Sequence, residues 1–326
     1  MNLAIDQAAE IGQRNSDRGA FLTAMQSPTV QAMTISYTRI DVRPMAGALG
    51  ADIHGVDLSQ PLDDTTFAEI EHAFHDRLVL FFHDQRLTPE QHLAFSRRLG
   101  PLSRSPYIKH MDEYPDIIAV LKEADERNIS TFGNAWHSDF SFLEEPPLGS
   151  VLYAREVPDY GGDTLFANMY DAYEALSEGM RRMLDGLNAM HSGRPYGVGG
   201  VSADLKVSRS IGIERNQPEA DREVAHPVVR VHPVTGRKAL FVNSIYSTRF
   251  EGMTEAESRP LLDFLYAHAI RPEFTCRLRW RTNDLAIWDN RCAMHYAVND
   301  YDGARRLMHR TTIKGERPIS ARGGNP

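Results

Sequence analysis

The chain has 326 residues, 42% of them hydrophobic and 25% charged, the composition of an ordinary globular protein with one large or two small domains. Its 36 Lys and Arg against 44 Asp and Glu give a net charge of −8, which argues against a nucleic-acid binder with a basic face. No run of 18 apolar residues occurs, so no membrane span is expected, and the opening MNLAIDQAAEIGQ lacks the apolar core of a secretory signal. Cys276 and Cys292, the only two cysteines, are too few for a disulfide framework and suit a reducing cytoplasm.

In chain order, residues 1–30 are polar and mixed and read as a flexible arm. Short strands with turns at Pro44 and 47–50 follow over 33–58. Residues 63–76 have helical spacing, with Phe67, Ile70 and Phe74 on one face. Residues 78–82 read as a buried strand. Thr88-Pro89-Glu90-Gln91 is a helix start, with a cap, Pro at the first position and an acidic first turn; that helix ends at Gly100-Pro101. Strands are expected at 117–121, 137–142 and 149–155, then one or two helices over 170–190. Residues 192–222, with Gly193, Gly197, Gly199 and Gly200 among polar residues, read as a lid. Strands at 228–231, 239–242, 276–280 and 285–288 and an amphipathic helix at 254–270 complete an α+β domain spanning 31–326.

Two stretches carry chemistry. In Trp136-His137-Ser138-Asp139, a strand would point His137 and Asp139 to one side. A second His, His295, closes Trp288-Asp289-Asn290-Arg291-Cys292-Ala293-Met294-His295. Two His and one carboxylate form a facial set that leaves three octahedral positions open, enough for a bidentate oxoacid and O₂. Such a dianion needs a cation at its far carboxylate, and Arg306 and Arg310 follow, sharing strand parity. A lone His-x-Asp is most often a turn; the combination with a distant His and downstream Arg is what points to iron. Zinc binds the same ligand set, so a zinc hydrolase is the competing reading, although zinc leaves the arginines unexplained.

These residues, with Pro146-Pro147, Gly161-Gly162-Asp163-Thr164 and Arg305-Arg306-x3-Arg310, resemble the taurine dioxygenase / 2,4-dichlorophenoxyacetate dioxygenase (TauD/TfdA) family of Fe(II)/2-oxoglutarate enzymes over about 40–318. The resemblance implies a double-stranded β-helix (jelly-roll) core with flanking helices. It implies Fe(II), 2-oxoglutarate and O₂ as cofactor and co-substrates, with succinate and CO₂ as co-products. His137, Asp139 and His295 would be the iron ligands, Thr164 and Arg306 would hold 2-oxoglutarate, and Arg310 would meet the anionic group of the substrate. A homo-oligomer, dimer or tetramer, is also implied.

The sequence departs from the taurine enzymes where they contact substrate. Ser105 and Ile108 stand where those enzymes have His and Tyr, and Gly133, with Asn134 beside it, stands where they have Asn. The pocket is therefore expected to be larger and more apolar, with Phe132, Tyr107 and Tyr246 near it. Tyr246 resembles a substrate-contacting Tyr of the aryloxypropionate branch. The expected substrate is a small organic anion with an apolar body: an aryloxyalkanoate, an alkyl sulfate or sulfonate, or a carboxylated metabolite. Hydroxylation beside a heteroatom would give a product that fragments. A sensor that binds 2-oxoglutarate without turnover is the remaining alternative.

Overall fold

A computed structural model of the chain describes residues 37–198 and 209–322. The expected arm at 1–30 lies outside the described residues, as does 199–208 of the expected lid. A compact unit begins at Thr38. Its helices are α1 (Asp64–Arg77), α2 (Pro89–Leu99), α3 (Met169–Glu174), α4 (Glu178–Leu184) and α5 (Glu255–Ala269). Its strands are β1 (Asp41–Pro44), β2 (Ala51–His54), β3 (Val79–Phe82), β4 (Ile118–Lys122), β5 (Gly149–Glu156), β6 (Thr164–Asn168), β7 (Asn188–Ser192), β8 (Glu223–Pro227), β9 (Val229–Val231), β10 (Lys238–Leu240), β11 (Ser247–Phe250), β12 (Thr275–Leu278), β13 (Leu285–Asp289), β14 (Ala293–Ala297), β15 (Arg306–Ile313) and β16 (Ile319–Ser320).

A seven-stranded sheet runs β1-β2-β3-β13-β5-β15-β4, with β2 and β3 parallel and the other neighbours antiparallel. A small antiparallel sheet, β12-β6-β14, packs against it. Phe166 of β6 meets Phe81 of β3 and Trp288 of β13 at 5.8 and 5.9 Å between ring centroids. Leu152, Ala286, Met294 and Met308 extend this core between the two sheets. Strands β3 and β13 are buried along their whole length, which is why they read as unbroken apolar runs. Two further three-stranded sheets, β10-β9-β16 and β11-β7-β8, complete the architecture. Among the described residues no helix is long and apolar enough to cross a membrane.

The helices begin where their caps predict. The Asp63 carboxylate accepts from the Thr66 amide, and Phe67, Ile70 and Phe74 turn inward. Thr88 and Gln91 form a reciprocal capping box with Pro89 inside it, and Thr254 and Glu257 form another ahead of α5. Two expectations fail. Residues 188–190 are not helical: they belong to β7, whose ladder partners β8 and β11 come from later in the chain. Nor is 137–142 a strand. His137 makes one antiparallel bridge to His295, and the chain then turns through Phe140, whose φ is +44°.

His83, just after β3, lies between two carboxylates, with Nδ1 2.8 Å from Asp284 Oδ1 and Nε2 3.0 Å from Asp52 Oδ1. The hydrogen bond to Asp284, reinforced by Asp52 against partial burial, raises its pKa from the usual 6.5 to about 9. The folded value lies above the unfolded one. The stabilisation is therefore complete below about pH 6.5 and is lost as pH rises through about 9. Urea unfolding measured across that window should show stability falling by up to about 3 kcal/mol, and His83→Gln should flatten the dependence. An equal pH slope in wild type and variant would exclude His83 as its source.

Candidate active site

His137 and His295 face each other because their backbones pair directly: the His137 amide donates to His295 O at 3.1 Å, and the His295 amide to His137 O at 2.9 Å. β14 thus brings the distant His opposite the His-Ser-Asp segment, and the turn after Ser138 swings Asp139 beneath both rings. His137 Nε2 and His295 Nε2 lie 3.7 and 3.6 Å from Asp139 Oδ1. The three ligand atoms fall within 4.8 Å of one another. Neighbouring ligands of one octahedral ion, each about 2.1 Å from it, are about 3 Å apart, so the set fits a single ion with little movement. Burial, with His137 alongside, holds the His295 pKa well below 6.5 and leaves its ring neutral, a lone pair available. Burial alone would raise the Asp139 carboxyl, yet the Arg310 guanidinium beside it holds it well below its usual value, as a ligand requires. His137 Nδ1 is 2.7 Å from Ala135 O, which orients the ring with Nε2 toward Asp139.

Gly133, His137, Thr164, Trp288, His295, Arg306 and Arg310 line one cavity with Phe132, Val120 and Leu152. Arg306 and Arg310 both reach it from β15, as strand parity predicted, despite an irregularity in the β5 ladder between Leu307 and Met308. Arg305 points away and pairs with Glu123 and Glu156. Arg306 is 4% exposed, and its Nε has no hydrogen-bond partner. Burial depresses its pKa, only partly offset by Tyr301 and Asp163. A buried guanidinium short of hydrogen-bond partners carries a desolvation cost that an incoming anion would relieve. The Gly-Gly-Asp-Thr motif has a plain steric reason here. A Cβ on Gly162, whose φ is +68°, would sit 3.2 Å from Arg306 Cδ and Nε, so the bare backbone lets the arginine stem pass. Thr164 Oγ1 accepts from Trp280 Nε1 at 2.9 Å, which leaves the hydroxyl proton free to be donated.

Arg310 lines the cavity and is also paired within the protein. Its Nη2 lies 2.6 Å from Asp139 Oδ2 and 2.9 Å from Ser150 Oγ, while its Nε is buried without a partner. It is thus engaged with a ligand of the triad as well as lining the cavity. Gly133, at φ +81°, stands against the site: a Cβ there would meet His137 Cε1 at 3.4 Å. Tyr246 is within reach of the triad, 6.3 Å between ring centroids from His137. It belongs to an aromatic cluster with Phe142 at 5.0 Å and with Tyr196, whose hydroxyl is 3.3 Å from that of Tyr246. Tyr107 stacks on Tyr196 at 5.1 Å. Burial pushes the Tyr196 phenol to about 12 and Tyr246 well above 10, so both remain protonated.

Three expected contacts do not line that cavity: Tyr246, which stands beside the triad in the aromatic cluster, Ser105 and Asn134. Ser105 is buried in a turn, where its hydroxyl accepts from the Tyr107 amide at 3.2 Å. Asn134 is half-buried beside Gly133 but does not line the cavity. Sequence reasoning missed Trp280, Tyr196 and Ser150. Only Ser150 had a legible signal, as a polar residue near the start of the expected core strand at 149–155.

A second three-residue set, His232, Asp289 and Cys292, also converges. Asp289 already carries Arg291 on both oxygens, at 2.8 and 2.6 Å, and His232 Nε2 at 3.0 Å. Burial drives the Cys292 thiol far above its usual range. With its carboxylate neutralised and its thiol protonated, this set is an internal ion-pair network rather than a metal site.

The chain is 36% identical over 288 residues to an alpha-ketoglutarate-dependent sulfate ester dioxygenase of Pseudomonas putida, covering 87% of this chain and 92% of the relative. It is 33% identical over 302 residues to an alkylsulfatase of Acinetobacter baylyi, covering 92% and 90%. The crystal structure of a taurine dioxygenase from Burkholderia xenovorans superposes with a TM-score of 0.73 at 34% identity, covering 88% of this chain and 95% of the other. Residues 41–312 match the family described as Taurine catabolism dioxygenase TauD, TfdA family, and over that span, most of its length, the chain belongs to it.

Proposed function

We propose that this dioxygenase, which uses Fe(II), 2-oxoglutarate and O₂, oxidises a small organic anion with an apolar body, an alkyl sulfate ester before an aryloxyalkanoate. The observation that carries the reading is Arg306, buried with its Nε unpartnered among the described residues, in the same cavity as His137, His295 and Thr164. Iron on the triad supplies the oxidising chemistry as 2-oxoglutarate is converted to succinate and CO₂. Arg306 and the Thr164 hydroxyl grip the distal carboxylate of 2-oxoglutarate, and Trp280 fixes the direction of that hydroxyl. Arg310 meets the substrate anion with the N–H groups that Asp139 leaves free.

The aromatic cluster of Tyr107, Phe140, Phe142, Tyr196 and Tyr246 forms the apolar wall for the substrate body and keeps water from the reacting carbon. Residues 209–217, from the segment read as a lid, run beside it: the Lys109 amide donates to Gly212 O, and Glu214 N to Tyr107 O. Hydroxylation of the carbon bearing a sulfate ester gives an unstable adduct that collapses to an aldehyde and sulfate. A sulfate ester dioxygenase and an alkylsulfatase among the relatives, at 36% and 33% identity, support this order of substrates, and a glycine in place of the taurine enzymes' Asn counts against taurine. We read the two packed sheets as the double-stranded β-helix of one domain over 31–326. We also read the chain as a cytoplasmic homo-oligomer acting on small molecules rather than on nucleic acid or membrane.

The test is succinate release by purified protein with Fe(II), ascorbate and 2-oxoglutarate across alkyl sulfates, sulfonates, aryloxyalkanoates and taurine. Release with the apolar sulfates and little with taurine is expected. No substrate-dependent succinate from any of them, or the same release by His137→Ala, sinks the reading.

A further inference from the structure

We infer that Ser150, Asn290 and Arg310 are positioning residues that hold one oxygen of Asp139 so that only the other is offered to the metal. This rests on the reading of His137, Asp139 and His295 as iron ligands. Asp139 Oδ2 accepts from Ser150 Oγ at 3.0 Å and from Asn290 Nδ2 at 3.2 Å, and it forms an ion pair with Arg310 Nη2 at 2.6 Å. A carboxylate oxygen has two lone-pair sites, and these two donors fill them while the guanidinium holds its charge. Asp139 Oδ1 is the atom that lies near both imidazoles.

The donors are themselves fixed. Ser150 lies in β5, opposite Trp288 on one side and Thr312 on the other, and its Oγ also accepts from Arg310 Nη2. Asn290 Oδ1 accepts from Trp288 Nε1 at 3.0 Å and from the Asp139 amide at 3.3 Å. Those two bonds set which way the side-chain amide faces and turn Nδ2 toward the carboxylate. The Trp-Asp-Asn motif thereby acquires separate duties: Asn290 clamps Asp139, while Asp289 carries Arg291 and His232. Ser150, Asn290 and Arg310 are 1%, 2% and 4% exposed, so water does not take their place.

The consequence is coordinative. A carboxylate free to rotate would bind through both oxygens and fill a fourth position. A carboxylate held by Oδ2 fills one and leaves three open. Outer partners of this kind typically change metal affinity ten- to a hundredfold.

The experiment is anaerobic Co(II) titration of metal-free wild type, Ser150→Ala, Asn290→Ala and Ser150→Thr, followed by visible absorption. The two alanine variants should bind Co(II) about ten- to a hundredfold more weakly. Their d–d bands should also shift, because the released oxygen joins the ion. Ser150→Thr keeps the hydroxyl and should recover affinity and spectrum together. Thermal unfolding of the metal-free proteins checks folding, and if Asn290→Ala does not fold, Ser150→Ala decides. Wild-type affinity and spectrum in Ser150→Ala overturn the proposal. A wild-type protein that fails to bind Co(II) overturns instead the triad reading beneath it.

Discussion

Asp139→Ala is expected to abolish succinate formation and to destabilise the metal-free fold, whereas His137→Ala should abolish activity with little loss of stability. Removal of either ligand should lower turnover by well over a hundredfold, since loss of an outer partner alone reaches that scale. The two differ in what they leave behind. Asp139 is the ion-pair partner of Arg310, at 2.6 Å, and both are buried. Truncating one member of such a pair strands the other charge at a cost of about 3–5 kcal/mol. His137 pairs with no buried cation, and its main tie is Nδ1 to a backbone carbonyl. Thermal unfolding of the two metal-free variants separates them. Equal midpoints would show that Arg310 does not depend on Asp139 in the folded protein.

Arg306→Met is expected to raise the KM for 2-oxoglutarate about ten- to a hundredfold while leaving the metal-free protein as stable as wild type or more so. The first effect follows from losing a charge-assisted contact worth about 1.5–3 kcal/mol to the distal carboxylate. The second follows from burial: the wild-type guanidinium is desolvated with its Nε unpartnered, and an apolar side chain of similar length removes that penalty. Ligand linkage supplies a control. Added metal and 2-oxoglutarate should raise the unfolding midpoint of wild type and raise that of Arg306→Met much less. An unchanged KM in Arg306→Met would assign the distal carboxylate to another group, with Arg310 the first candidate. Arg310 is ion-paired with Asp139, whereas no ion pair of Arg306 occurs among the described residues, and that contrast is what the two variants test.

Much of the site was legible because metal ligation needs particular residue types. His137, Asp139 and His295 are recognisable as donors, and strand parity alone put Arg306 and Arg310 on one side of β15. The route to the right set was partly wrong. The His-Ser-Asp segment is a single bridge and a turn, not a strand, and its two ligands converge because His295 pairs with His137 across the chain. Local pattern cannot report such a bridge, since the partner lies more than 150 residues away. The same limit explains 188–190, where helical spacing lost to ladder hydrogen bonds supplied by β8 and β11.

By itself, then, the sequence offered the donor set His137, Asp139 and His295, two candidate cations for an oxoacid in Arg306 and Arg310, and the α+β class that alternating and helical periodicities require. Only the tertiary structure decided how those groups share their bonds. It tied Arg310 to Asp139, set Trp280 on Thr164, left Arg306 Nε without a partner among the described residues, and kept Ser105, Asn134 and Tyr246 out of the cavity lining. The physical reason is that donor chemistry belongs to a residue type, whereas saturation of a given oxygen or nitrogen depends on which distant neighbours packing brings within about 3 Å.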